Sequence, residues 1–177
     1  MRNFLSLTIL LLLFAPALAQ NQAVAVIEST NQREAPQARR LGEVYFHEEG
    51  GALIIQGHLE GLEPGSQHGF HIHKFGDLSR ADATSAGGHF APEGHPHAGP
   101  NAAMHHAGDL GNVVADKNGE VDLNMRANWL TLKDILGRSV VLHAHDDDLK
   151  SQPSGDAGPR IGAGVIGWAN TDRTVKR

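Results

Sequence analysis

The sequence predicts an all-β domain, an antiparallel sandwich or barrel that carries two long loops. Short alternating or β-rich runs recur along the chain and are separated by turn residues. Aromatic residues make up only 5% of the 177 residues while glycines number 21, a balance that suits a loop-rich β protein better than a helical one. Two stretches, Lys74 to Asp109 and Ala144 to Ala163, have no regular pattern and concentrate Gly, Pro, Asp and His. Long loops of that kind inside a compact domain are usually functional or disordered, and the embedded histidines favour function. The length suits one domain with a sizeable core.

Taken in chain order, residues 1–19 stand apart. Arg2 gives a positive start, Leu5 to Phe14 form an apolar run, and Ala17-Leu18-Ala19 is an A-x-A cleavage signal. We expect a signal peptide over 1–19 and a domain over 20–177, exported to the periplasm or secreted. The run is too short to make a good transmembrane span, so no membrane association is expected after cleavage. Ala23 to Glu28, Gly42 to His47 and Ala52 to Glu60 then read as three strands, with a polar surface connection from Ser29 to Arg40. His68 to His73 makes a fourth and Gly111 to Ala115 a fifth. The turn Asp116-Lys117-Asn118-Gly119 leads to Glu120–Met125, predicted as the fifth strand's hairpin partner. Ser139 to His143 and Gly164 to Ala169 complete a set of about eight. Leu130 to Leu136 is a helical turn or an irregular connector; periodicity does not decide between them.

Composition excludes several functions. There is no cysteine, so thiolate ligands, a thiol nucleophile and lipid attachment at a cysteine are ruled out. Loss of Arg2 with the leader leaves 14 basic against 20 acidic residues, a net charge near −6. A mildly acidic chain with no basic run gives no support to nucleic-acid binding.

The chemistry concentrates in seven residues: His71, His73, His89, His97, His106, Asp109 and His143. Neutral imidazole suits copper and zinc, and zinc also tolerates a carboxylate, so calcium and magnesium are poor matches. In Phe70-His71-Ile72-His73, the strand period puts both imidazoles on one face and the apolar pair on the other, toward the core. Val140 and Leu142 point inward by the same logic and His143 outward. His89, His97, His106 and Asp109 offer three nitrogens and one carboxylate, the make-up of a closed tetrahedral zinc shell that would pin the long loop. His95, His105 and His145 read as solvated bystanders.

The segments GFHIHKFGD, TSAGGHF, HAGDLGNVVADKNG and GPRIGAGVIG closely resemble the copper/zinc superoxide dismutases, and the similarity runs from about Val24 to Ala169. The resemblance implies an eight-stranded Greek-key barrel with one copper and one zinc per subunit. It implies dismutation of superoxide to oxygen and hydrogen peroxide, as antioxidant defence outside the cytoplasm. By it, His71, His73, His89 and His143 bind copper, and His89, His97, His106 and Asp109 bind zinc, with His89 bridging as an imidazolate and supplying a proton. Asp147 would link a copper histidine to a zinc histidine. Arg160 would dock the anion, with Lys150 at the rim, and His68 would be structural. A homodimer is allowed by the resemblance but not fixed by the sequence. The family's usual disulfide positions are occupied by Ala83 and Ala163, so the loop is expected to rely on zinc and packing. The alternative reading is an exported copper/zinc-binding module without turnover.

Overall fold

Alternation of small apolar and polar residues sets the first strand, β1 (Gln22–Ser29), in which Ala23, Ala25 and Ile27 are buried. The computed structural model describes residues 21–30 and 39–171; the expected leader and most of the Ser29–Arg40 connection lie outside them. β2 (Arg40–Glu49) and β3 (Ala52–Leu59) form a hairpin closed at Glu49↔Ala52. Its turn residues Gly50 and Gly51 have φ of 58° and 75°, the two positive values that a twist-matched two-residue hairpin demands. β4 (Gln67–His73), β5 (Asp109–Val114), β6 (Val121–Ala127), β7 (Ser139–His143) and β8 (Arg160–Val165) follow. A two-residue β9 (Gly167–Trp168) pairs β1.

Every pairing is antiparallel, in the order β5-β4-β7-β8-β1-β2-β3-β6, and the sheet wraps into a nearly closed eight-stranded barrel. Inward side chains fill it: Ile27, Phe46, Leu53, Ile55, Leu59, Phe70, Ile72, Leu142 and Ile166 are all 1% exposed or less. The core therefore needs no large aromatic content, in keeping with the composition. Among the described residues no helix is long and apolar enough to cross a membrane.

Two expectations need correction. The turn at 116–119 forms, with Asp116 Oδ1 accepting from the amides of Asn118 and Glu120, but β5 and β6 are not a hairpin. They end opposite edges of the strand order, β5 beside β4 and β6 beside β3. The turn's backbone is tied instead to the β3–β4 connection, by Leu62 N–H to Gly119 O at 3.1 Å and Gly65 N–H to Asp116 O at 3.1 Å. The eighth strand begins at Arg160, not at Gly164. Glycine is required inside it: a Cβ on Gly164 would lie 2.3 Å from Val26 O. A strand built for close approach thus carries the residues that otherwise signal a turn. The undecided segment contains a short helix, α1 (Leu132–Ile135), where the Asp134 carboxylate accepts from the Thr131 amide and hydroxyl at 2.9 and 2.7 Å.

Candidate metal centre

The barrel wall between β4 and β7 provides a rigid platform. Phe70 pairs with Leu142 and Ile72 with Val140, all four facing the core, while His71, His73 and His143 emerge on the other face. These histidines are nonetheless 0%, 1% and 4% exposed, because the 74–108 and 144–159 segments fold over them. His89 is delivered from the first of these by an isolated bridge to His73. Gly108 allows that close fold: a Cβ there would lie 2.1 Å from Ile72 O.

The seven candidates come together as two groups that share one member. Ligand atoms of His71, His73, His89 and His143 lie within 4.8 Å of one another, as do those of His89, His97, His106 and Asp109. Asp109 Oδ1 is 2.8 Å from His89 Nδ1, 3.1 Å from His97 Nδ1 and 3.3 Å from His106 Nδ1. In the other group, His73 Nε2 and His143 Nε2 approach to 3.3 Å. His89 thus presents one nitrogen to each group.

The outer nitrogens are occupied in a way that fixes which lone pairs face inward. Asp147, 2% exposed, accepts from His71 Nε2 at 2.8 Å through one oxygen and from His97 Nε2 at 2.9 Å through the other. His73 Nδ1 donates to Gly87 O at 2.9 Å and His143 Nδ1 to Gly158 O at 3.1 Å. What remains is His71 Nδ1, His89 Nε2 and His97 Nδ1, all buried and without a hydrogen-bond partner. Leaving buried polar nitrogens unpaired costs about 1–3 kcal/mol each. Coordination of a metal offsets that penalty, and imidazole with one carboxylate matches copper and zinc chemistry. The residues fit such ions.

Electrostatics prepares the groups for that role. Burial drives the His71 and His73 pKa values well down, with the nearby His89 adding to the shift. Burial also lowers His143 to about 4, and His106 is lowered by burial as well. These rings are neutral at physiological pH, with lone pairs available. Burial opposes ionisation of Asp109, but the hydrogen bond from His89 and the surrounding histidines outweigh it and hold the carboxyl below its usual range.

Arg160 stands beside this centre, in register with His143. Its guanidinium donates to Ala83 O and, at 2.5 Å, to Gly87 O, the same carbonyl that accepts from His73. Ala83 and Ala163, 1% and 4% exposed, pack with Val141 and Leu78 in a small apolar cluster. The loop is thus joined to the barrel by methyl packing and by the arginine fork, at the two positions where the sequence lacks a crosslink.

Several supporting residues escaped the sequence reading. Asn112 clamps Asp147, accepting from its N–H at 2.7 Å and donating to its carbonyl at 2.8 Å. Gly155, with φ of 68°, leaves the space in which Asp147 lies, since a Cβ would come 1.9 Å from Asp147 Oδ1. Arg138 stacks 3.6 Å over the Phe90 ring, next to His89, and donates to Lys74 O. An asparagine in a strand or a glycine in a loop has no spacing that announces such a partner. His68 Nδ1 donates to His143 O and its Nε2 pairs with Ser66 Oγ, both at 2.7 Å, outside both groups. His95 sits 3.3 Å from Glu93, His105 packs on Trp129, and His145 and Lys150 are exposed. A separate cleft of about 440 Å³, lined by Phe90, Glu93, His95, His105, Trp129 and Leu130 among others, includes none of the seven.

Comparison with known proteins gives a consistent set of relatives. The model of the family described as copper/zinc superoxide dismutase (SODC) matches residues 40–166. A superoxide dismutase [Cu-Zn] of Paramecium bursaria Chlorella virus 1 is 43% identical over 137 residues, covering 72% of this chain and 73% of the relative. An extracellular superoxide dismutase [Cu-Zn] of Onchocerca volvulus is 41% identical over 142 residues, covering 72% and 70%. A copper chaperone for superoxide dismutase of Sus scrofa is 42% identical over 119 residues, which are 64% of this chain but 43% of the chaperone. Among solved structures, the clock protein EA4 superposes with a TM-score of 0.74 at 38% identity, covering 84% of this chain and 95% of EA4.

Proposed function

We propose, starting from the fact that this chain belongs to the copper/zinc superoxide dismutase family, that it catalyses the dismutation of superoxide. Two superoxide anions and two protons become one oxygen and one hydrogen peroxide. The observation that carries this reading is His89, which belongs to both ligand groups and has a buried, unpartnered Nε2 between them. His71, His73, His89 and His143 would hold copper; His89, His97, His106 and Asp109 would hold zinc. Bound copper supplies a one-electron couple, and zinc supplies charge and structure without redox chemistry.

The chain's own residues do the rest. His89 keeps its Nδ1 with the Asp109 group and can hold a proton at Nε2, within reach of a bound anion. Asp147 holds the rings of His71 and His97 in one tautomer, so their Nδ1 lone pairs stay aimed inward. Arg160 provides a fixed positive charge and donor pair on a chain whose net charge is −5, a local focus for a small anion. Folding of both loops over the platform excludes bulk water and larger molecules. The leader reading adds that the protein works outside the cytoplasm, periplasmic or secreted.

The copper-chaperone relative favours a second reading, a copper/zinc-binding module without turnover. The complete four-histidine group together with Arg160 argues for turnover, because a carrier has no use for a charge that docks the substrate. Titrating copper into zinc-loaded protein separates the two. The dismutase reading expects superoxide consumption to rise in proportion to copper up to one equivalent and to be near zero with zinc alone. A rate unrelated to copper content would refute it.

The assignment of the two groups has its own check. Asp109→Ala should weaken zinc more than the roughly 10–100-fold that loss of an outer partner costs. Copper should be retained at least in part on His71, His73 and His143. Metal analysis of the variant after equilibrium dialysis reads both; loss of copper with zinc intact would reverse the assignment.

A further inference from the structure

We infer that Gln152 is a positioning residue of the metal centre: its carboxamide grips the backbone of His97 and so sets the direction of that ligand. The inference rests on the reading of His89, His97, His106 and Asp109 as ligands of one ion, and it names what holds the least supported of them. His71, His73 and His143 belong to β4 and β7, and Asp109 begins β5. His89 has its bridge to His73, and the His106 amide donates to Asp109 Oδ2 at 2.9 Å. His97 lies in irregular chain between Pro96 and Ala98, yet it is 2% exposed. A buried peptide needs partners for both its groups.

Gln152 provides both. The His97 N–H donates to Gln152 Oε1 at 2.9 Å, and Gln152 Nε2 donates to His97 O at 2.8 Å. The second hydrogen of the same amide goes to Lys150 O at 3.2 Å. This reciprocal pair imitates one rung of a β-ladder across 55 residues of sequence. Gln152 itself is exposed, so its carboxamide would otherwise be hydrated; here its oxygen and both hydrogens are engaged. The segment that carries it is fastened by its own turns: Asp148 N–H to Gly155 O, Gly155 N–H to Ser151 O, and Ser151 N–H to Asp148 Oδ1.

The same segment holds Asp147, which grips the His97 ring at Nε2. Backbone and ring of His97 are therefore both set by residues of the 144–159 loop, leaving Nδ1 as the inward atom, 3.1 Å from Asp109 Oδ1 and without a hydrogen bond. Loss of Gln152 removes the backbone half of that grip and lets the imidazole pivot about the Asp147 contact. Residue choice is restrictive. Glutamate would turn an oxygen on the carbonyls of His97 and Lys150, and asparagine is one methylene too short to span the gap.

The test uses Co²⁺ as a coloured substitute for zinc, because its visible absorption reports tetrahedral geometry directly. Wild type, Gln152→Glu and Gln152→Ala are titrated with Co²⁺ against a competing chelator, and each metal-free protein is melted. Wild type should take up one Co²⁺ with tetrahedral bands. Both variants should bind it ~10–100-fold more weakly, with shifted bands, the size expected for loss of an outer partner. Their metal-free melting should match wild type, since the defect lies in ligand direction and not in the barrel. Variants with wild-type bands and affinity would overturn the inference while leaving the site intact. A metal-free melting loss that accounts for all of the weaker binding would also overturn it, as a merely structural role. Wild type that gives no tetrahedral bands would instead defeat the reading of the site itself, and the inference with it.

Discussion

Arg160→Ala should slow superoxide consumption by roughly tenfold or more at low ionic strength, within the ~10–10³ range that local focusing of charge provides, and leave copper content nearly unchanged. The side chain lies outside both ligand groups, so the metal has no direct reason to leave. Its charge is nevertheless felt at the platform, where it helps to lower the pKa of His73 and His143. The fork to Ala83 O and Gly87 O holds it in one place, which a freely moving surface lysine could not match. Salt should slow wild type more than the variant, because the screened attraction is absent from the latter. Arg160→Lys, which keeps charge but not the fork, should fall between them. Stopped-flow rates across ionic strength, with metal analysis of the same samples, would measure all three. Wild-type rate and salt dependence in Arg160→Ala would remove the docking role.

Stripping zinc should lower the melting temperature by ~10 °C. An ion bound only by the folded chain, at a free concentration a thousandfold above its Kd, adds about 4 kcal/mol. Each kcal/mol moves the midpoint by roughly 2–4 °C in a domain of this size. The reason to expect the full effect is local. The 74–108 segment holds few buried apolar residues of its own, chiefly Ala83, Ala86 and Phe90. Its other ties are polar, to Asp109, Asp147, Gln152, Arg138, the Arg160 fork and the β4 backbone, with no disulfide in the chain. Amides of 74–108 should exchange rapidly in the zinc-free protein and slowly in the loaded one, while β2 and β3 barely change. Thiol reductants should alter nothing through protein thiols, since there are none. Equal protection of 74–108 with and without zinc would mean that packing alone secures the loop.

Much of this architecture was legible in the sequence because the chemistry sits on strands. His71 and His73 share a face by the two-residue period, and the same period sends Phe70 and Ile72 into the core, as the burial of both confirms. The fold class followed from runs that alternate, and the two unpatterned stretches coincide with the loops that cover the platform. Failures have physical reasons. The 116–119 turn is correct as chemistry, yet turn chemistry says nothing about which strand lies alongside, and the β3–β4 connection claims its backbone. The sequence predicts the eighth strand only from Gly164, four residues late, because glycines that permit close strand approach look like turn formers. Asn112, Gly155 and Gln152 act through backbone contacts or through empty space, neither of which leaves a motif. How Arg160 stays in place without a crosslink was equally hidden; it depends on carbonyls of Ala83 and Gly87, and any residue type can offer a carbonyl.

The most direct test counts turnovers. Protein loaded with one copper and one zinc, beside His143→Ala treated in the same way, is given repeated pulses of superoxide, and oxygen and hydrogen peroxide are quantified. His143 contributes a strand-borne, neutral imidazole nitrogen to the four-histidine group. Wild type should consume many superoxide anions per copper, with oxygen and peroxide in equal amounts, and the variant should lose this almost completely. Copper held tightly by wild type, with no more than about one superoxide consumed per ion, would contradict the dismutase reading and leave a metal-binding module.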